Sequence, residues 1–564
     1  MVMSLSAAIT LCFADWPVIW WFTSDPEMGN FMRLITSTVH LNDDVMISLR
    51  PGYILSETGK PSFNRMDLAQ PSTSYITPYI YSLLYKFVPG NIAVLSYAGL
   101  GFLAVVGTFG LIVFTAKSMV NAILLVLTLM FTNTNLMYAL NGWDHLFQGF
   151  FLTFAVVIAQ KKDNSHSRLF LLSIFLSLGV LFRPDGLLIA IGIMMSLFLK
   201  SSIKRQLIIW VVVPFLCVIL ATLAINLYQF DMLTTTTTRL KFGSASSINY
   251  LIIYLFKNTV LNISSITLCI LFLIFYFTYK KLLFCSASLP IVISCCLTIV
   301  IAAINSDVFM GGRMFWSSSC VLASTLVAFS PNVFVSKGAT LIKSFELSHI
   351  YSLDKKNKLS ICMRAMGILL LALMIVSVYG TILREKIRTS AIHKYASSAT
   401  DKNFMIAHWI ENNMRVSDGS IGIFYSGVAY HIPSFEVADL LGKADELIAN
   451  LETKYGSPGH NKWDIKKTLE KWNPQAIIPS ENSDITIPGV RKKAIKELQF
   501  KEGFGWFPDL LFSKEIQKNY VYCYLAGKQL DSKFDDFGFY VRKDVVVRYE
   551  DSLLCGSLKS HAIN

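Results

Sequence analysis

The chain has 564 residues, of which 53% are hydrophobic and 15% charged, with a formal net charge of +13. That is too apolar for a soluble protein of ordinary charge content, so the composition points to a polytopic membrane protein. The positive charge lies in Lys and Arg flanking apolar runs, with no Gly- or aromatic-punctuated basic tract of the nucleic-acid-binding kind.

Apolar runs of about 20 residues, enough to cross a bilayer as helix, recur from the N-terminus to about residue 383 and then stop. The first, MVMSLSAAITLCFADWPVIWWF, has no basic leading region and is interrupted by Asp15 and Pro17, so it reads as a transmembrane helix and not as a cleaved signal. About eleven spans are expected, at roughly 3–22, 91–115, 119–139, 146–160, 169–182, 187–199, 206–228, 258–278, 285–304, 314–330 and 366–383. The stretch 169–199 holds RPDG at its centre, so it is either two short helices or one kinked passage. Residues 1–383 are thus expected to form the membrane domain, with a long first loop at 23–90. Residues 384–564 have ordinary soluble composition and alternate helix-like stretches (about 402–414, 441–452 and 462–472) with strand-like ones (about 419–426, 475–478, 519–526 and 537–548), which predicts a mixed α/β domain. Most of the ten cysteines sit singly inside apolar runs and behave as small hydrophobes. Cys523 and Cys555 either pair, if their domain lies in an oxidising compartment, or remain thiols.

Loops following the even-numbered spans are the richer in Lys and Arg, which places them in the cytoplasm. The loops of unusual composition then all fall on the outer side, together with the C-terminal domain: the first loop, NGWDH (141–145), RPDG (183–186), TTTTTRLKFG (234–243) and NSDVFMGGR (305–313). Ionisable groups gathered on one face at membrane depth are functional candidates by default.

Each candidate has a bland alternative. Asp43 and Asp44, in HLNDDVMISLR, are adjacent carboxylates of which one is held near working pH as a general base; equally, they cap a helix start. Arg50 lies six residues further on. Asp144 and His145 in NGWDH belong to a site or to a loop with an aromatic anchor. Arg183 and Asp185 hold an anionic group or satisfy each other at a Pro-induced turn. The threonines Thr234 to Thr238, with Arg239 and Lys241, offer hydroxyls and cations to a phosphate, though threonine runs are common in plain loops. Asp307 and Arg313 bracket glycines that permit close backbone approach. A divalent cation near Asp43, Asp44 and Asp307 is conceivable, but no ligand spacing supports one. Carboxylates and cations at the headgroup plane suit transfer of a sugar from a lipid-linked phosphate donor; a lipid-linked sugar flippase or other transporter would also use buried charges.

The order of these motifs resembles the GT-C glycosyltransferases of the group that includes the mycobacterial terminal β-(1→2) arabinofuranosyltransferase and a pilin arabinosyltransferase. The segments DDVMISLRPGYILSETGKPSFN and STSYITPYIYSLL are similar to that group's acidic-pair motif, its GxxFN segment and its YTSPLW-like helix start. NGWDH, RPDG, TTTTTRLK and NSDVFMGGRMF follow in the expected order, and FMIAHWIENN, VADLLGKADELIANL and SPGHNKWD resemble motifs of its soluble domain. Asp144 stands in place of a glutamate, Ser-Asp replaces Gly-Gly-Asp, and a Leu-Pro after Arg313 is missing. What the resemblance implies is an inverting enzyme of the cytoplasmic (inner) membrane, active on its outer, periplasmic side. It would move a sugar, with arabinofuranose as the one indicated, from a polyprenyl-phosphate donor to a hydroxyl of a glycan or pilin-like protein. Asp43 is then the base, with Asp44 as second choice. Arg50, Arg183, Lys241 and Arg313 are the cations for the donor phosphate, and Asp144, His145, Asp185, Arg239 and Asp307 contact substrate.

Overall fold

The computed structural model describes residues 43–67, 69–88, 90–115, 144–161, 165–200, 203–237, 288–305, 316–329, 405–424, 426–452, 462–479, 488–500, 506–525, 538–549 and 551–555, with single positions 129, 240, 454 and 483. In chain order the helices are α1 (Asp43–Thr58), α2 (Thr77–Phe87), α3 (Gly90–Thr115), α4 (Asp144–Gln160), α5 (His166–Phe182), α6 (Gly186–Lys200), α7 (Lys204–Phe230, with a π-helical turn at Ile208–Val212), α8 (Leu289–Asn305) and α9 (Trp316–Phe329). Then follow α10 (405–413), α11 (Glu446–Ala449), α12 (Ile465–Trp472), α13 (Pro488–Phe500), α14 (Trp506–Phe512), α15 (Lys514–Asn519) and α16 (Lys543–Val546). The strands are β1 (Ile421–Ile423), β2 (Val437–Asp439), β3 (Ala476–Ile478), β4 (Tyr520–Leu525), β5 (Phe539–Arg542) and β6 (Leu553–Cys555). The chain divides into two compact units: described residues of 98–220, 288–305 and 316–329 form one, and those of 43–97, 221–240 and 405–555 form the other.

The spans expected at 91–115, 146–160, 169–182, 187–199, 206–228, 285–304 and 314–330 fall on α3 to α9; those at 3–22, 258–278 and 366–383, and that at 119–139 save for position 129, lie outside the described residues. Ser96–Thr115 and Lys204–Phe230 are long and apolar enough to cross a membrane. Only 11% of the most apolar window of α7 is buried, and Leu216, Leu220 and Ile225 are exposed. Exposed apolar side chains along a helix of that length are what a lipid-facing helix carries. Between α4 and α5 the contact is aromatic: Phe147 stacks on Phe182 at 4.7 Å and Phe154 on Phe175 at 4.3 Å. Small residues let other helices approach. A Cβ added at Gly149 of α4 would lie 2.6 Å from the Trp316 indole nitrogen of α9, and one at Gly179 of α5 would lie 2.7 Å from Leu152.

In the mixed unit, the six strands run in the order β2-β1-β3-β5-β4-β6, with β1 parallel to β2 and β3 and the remaining pairs antiparallel. The alternation of a strand puts Ile421, Ile423, Ala476, Ile478, Phe539 and Val541 into one core and Ile477 and Tyr540 into another, so both faces are covered. Phe63, from the segment between α1 and α2, is fully buried in the first core; Trp463, Phe507 and Leu510 fill the second. Asn64, the next residue, meets the outermost strand: its amide nitrogen donates to Val437 O at 2.8 Å and its oxygen accepts from Val437 N at 2.9 Å. Helix starts follow local chemistry, with Asp464 accepting from Lys467 N at 3.0 Å and Ser513 from Ile516 N at 3.3 Å. Cys523 and Cys555 are register partners on β4 and β6 and form a disulfide. At the end of β2, buried Asp439 accepts from Leu441 N at 3.0 Å and Ala444 N at 2.7 Å. Burial nevertheless pushes its carboxyl up to about 6, against the opposing pull of those two bonds and of Lys443.

Two outcomes are expected. Gly149→Ala forces its new methyl into Trp316 and destabilises the helical unit by about 1–3 kcal/mol, read as a lower melting temperature of the purified protein. Asp439 has a folded pKa raised above its unfolded value of 3.8. Its contribution to stability is therefore complete below about pH 4 and lost as pH rises through 6. Denaturation curves at pH 4.5 and 7 should show that slope in the wild type and a flatter one in Asp439→Asn.

Candidate functional site

Asp43 and Asp44 form the first turn of α1, where the positive end of the helix dipole favours carboxylates. Their side chains lie outside the described positions. Two turns on, Arg50 is fully buried. Its Nε donates to Phe63 O at 2.8 Å, its Nη2 to Phe435 O at 2.7 Å, and its Nη1 to Ala429 O and, at 3.3 Å, to Ile432 O. The guanidinium also sits over the Phe63 ring, 5.2 Å from the centroid. Burial lowers it to about 10, with Glu436 opposing, so it stays charged at neutral pH. The expectation that Arg50 holds a donor phosphate is therefore corrected. Its donors are spent on backbone carbonyls and no face of it is open, so it ties α1 to the segment 429–435.

Further ties run the same way within this unit. Arg65 pairs with Glu57 at 2.6 Å and donates to Pro433 O at 2.9 Å, while Glu436 accepts from Arg65 N at 3.1 Å. Lys471 of α12 bridges Asp67, at 2.9 Å, and the fully buried Asp445, at 3.1 Å. The threonine run is also other than expected. Thr235, Thr236 and Thr237 are buried, Thr236 N donates to Gln70 O at 2.9 Å, and Thr237 Oγ1 donates to Pro71 O, with Lys443 O 3.4 Å away. These three serve as packing against 70–71 and not as an open phosphate cradle. Arg239 and Lys241 lie outside the described residues, as do Asp307 and Arg313.

In the helical unit three motif-bearing segments meet. α5 ends at Phe182 because Arg183 precedes a proline and takes extended backbone, φ −155° and ψ 126°, which makes 169–199 two helices. Arg183 Nη2 pairs with Asp185 at 3.1 Å, the mutual satisfaction that the turn allowed for. Asp185 also accepts from Gln148 Nε2 at 2.8 Å, and the same nitrogen donates to Arg183 O at 3.1 Å. The other end of that amide accepts from Ser317 at 2.5 Å, and Ser317 Oγ reaches His145 O at 3.3 Å. Asp144 opens α4 and is half-buried, and His145 beside it is buried. The bonds of Gln148 thus join Arg183 and Asp185 to the first turn of α4, which Asp144 and His145 open, with the start of α9 beside them. Sequence reasoning missed Gln148 and Ser317, although a glutamine one turn into an apolar helix was a signal. Among the described residues no three His, Cys, Asp or Glu side chains cluster as metal ligands would.

No protein-family model matches this chain, and no curated protein does. Among solved structures, it is similar to the archaeal oligosaccharyltransferase AglB from Archaeoglobus fulgidus, in complex with an inhibitory peptide and a dolichol-phosphate. The TM-score is 0.49 and the identity 10%, over 99% of this chain and 76% of that one. A likeness at that level assigns the chain to no family.

Arg50→Ala should cost about 3–5 kcal/mol by stranding buried carbonyls, and Arg50→Lys should recover only part of it because an ammonium cannot make the same fork. Thermal unfolding checks this; a phosphate ligand would leave the unliganded protein's melting temperature nearly unchanged.

Proposed function

We propose that the chain is an inverting membrane glycosyltransferase, taking its sugar from a polyprenyl-phosphate donor at the outer face of the bacterial cytoplasmic membrane. The observation that carries this is the junction at Gln148, where Asp144 and His145 of NGWDH, the RPDG turn and the helix after NSDVFMGGR come to one end of a bundle of apolar helices. Those segments belong to the ordered set of motifs that resembles the GT-C group, and the acid pair of that set opens α1.

Asp43 removes the proton from an acceptor hydroxyl as its oxygen attacks the anomeric carbon; Asp44 orients the base. The bond from that carbon to the phosphate oxygen breaks with inversion, and the polyprenyl phosphate leaves with the electron pair. Lys241 and Arg313, with Arg183 at the RPDG turn, supply positive charge to the departing phosphate. Asp144, His145, Asp185, Arg239 and Asp307 position substrate. Arabinofuranose is the sugar, and a glycan or pilin-like protein hydroxyl the acceptor. A lipid fixes the donor's reactive carbon near the headgroups, which is why acid and base groups are found at helix ends instead of in a soluble cleft.

Asp43→Asn should reduce transfer at least a hundredfold while the protein inserts and melts normally. The measurement is formation of a glycosidic bond from labelled polyprenyl-phosphoryl arabinofuranose by protein in vesicles. Near-normal transfer by both Asp43→Asn and Asp44→Asn would overturn the assignment of the base, and lipid movement without any bond formed would identify a flippase.

A further inference from the structure

Helix α2, TPYIYSLLYKF, has two unlike faces. On one, Thr77, Pro78, Tyr81 and Ser82 are buried, and α1 packs there closely. A Cβ added at Gly52 of α1 would lie 2.7 Å from Pro78 O and 2.8 Å from the Tyr81 ring, and Tyr53 meets Tyr85 edge-on at 5.2 Å. The Tyr81 hydroxyl also bonds that of Tyr430, ahead of β2. On the other face Tyr79, Leu83 and Phe87 recur every four residues, 40%, 58% and 80% exposed, with exposed Lys86 at the edge of the stripe. Aromatic and apolar side chains lined up in the open mark a surface that something covers. That face borders the end of α7: the Tyr79 hydroxyl donates to Gln229 Oε1 at 3.2 Å, and next to Gln229 stand exposed Leu227 and Tyr228. The 27 residues of α7 reach about 40 Å as helix, against a hydrocarbon layer of about 30 Å, which leaves its last turn at the depth of the lipid headgroups.

We infer that α2 is an interfacial helix, whose Tyr79, Leu83 and Phe87 enter the headgroup layer of the bilayer beside the end of α7. Three observations favour lipid as the occupant. Tyrosines whose rings are apolar and whose hydroxyls are polar, as on Tyr79 and Tyr228, suit a zone that is greasy on one side and wet on the other. Lys86 at the edge of the stripe can lay its stem on that zone and hold its ammonium among phosphates. The stripe is also continuous with membrane-spanning chain, through the Tyr79 bond to α7 and through α3, which begins three residues after Phe87 and contains the other long apolar stretch. A protein seated on this face would have to share it with the lipid around α7. Lys204 and Arg205 at the opposite end of α7 put that end in the cytoplasm, so α2 lies on the outer leaflet. Because α2 is bonded to α1 and to Tyr430, it is the element through which the mixed unit rests on the bilayer. The inference rests on α7 crossing the membrane and not on sugar transfer.

The test is photocrosslinking of the full chain in vesicles of phosphatidylethanolamine and phosphatidylglycerol, with the photoreactive p-benzoylphenylalanine placed singly at Leu83, Phe87, Tyr85 or Leu220 and the adducts read by mass spectrometry. Leu83 and Phe87 should give lipid adducts at least ~10-fold more often than Tyr85, which faces α1 and should crosslink to it. Leu220, exposed on α7, reports on the span alone. Adducts from Leu83 and Phe87 to another segment of the chain or to a second copy would overturn the inference, as would equal lipid labelling from Tyr85. Lipid adducts at Leu220 with none at Leu83 and Phe87 would overturn the interfacial helix and leave the span standing. No lipid adduct at any of these positions would overturn both. Sugar transfer enters none of these readings, so the transferase proposal is judged separately by its own assay.

Discussion

A charged guanidinium with no access to water must be surrounded by acceptors, and Arg50 meets that demand with the carbonyls of Phe63, Ala429, Ile432 and Phe435. The four carbonyls come from stretches far apart in the chain, so satisfying one side chain fixes α1, the turn after it and the segment before β2 together. Phe63 can then enter the core of the sheet, and the salt bridge of Lys471 with Asp67 closes over a segment already in place. Asp43 and Asp44, on the same helix, take their position from that anchorage.

The helical unit solves a related problem with a neutral side chain. Around the RPDG turn, a proline stops α5 and leaves polar backbone in an apolar surrounding. The amide of Gln148 serves both needs, donating to Arg183 O and Asp185 while accepting from Ser317. A full charge at that place would have needed a counter-charge; an amide bonds to donor and acceptor alike and remains cheap to bury.

Much of the architecture was legible because it rests on local signals. Unbroken apolar runs marked α3 to α9, and alternation marked β1, β3, β4 and β5, since both depend on which residues meet solvent along one element. Strands β2 and β6, three residues each, carry too little pattern to show. The role of Arg50 was not legible for a different reason. Near a membrane, an arginine after an acid pair invites a functional reading, and nothing in its spacing tells that its acceptors lie more than 370 residues away. The threonine run misled in the same way: hydroxyls suit a phosphate in principle, but the backbone of 70–71 and Lys443 covers them. Four of the expected site residues, Arg239, Lys241, Asp307 and Arg313, fall outside the described positions.

Asn64 has a further bearing on how the C-terminal part of the chain behaves. Its side-chain amide pairs with both the N–H and the C=O of Val437, as the peptide of an added strand would, on the outermost strand of the sheet. A fragment cut free of residues 43–97 would leave that rim of backbone bare, beside a hole where Phe63 had been, and such rims recruit other chains. The sheet is sealed by a piece of chain that leads into α3, so the solubility of the C-terminal part depends on one short upstream segment and a tidy excision at residue 384 would yield a self-adhesive product.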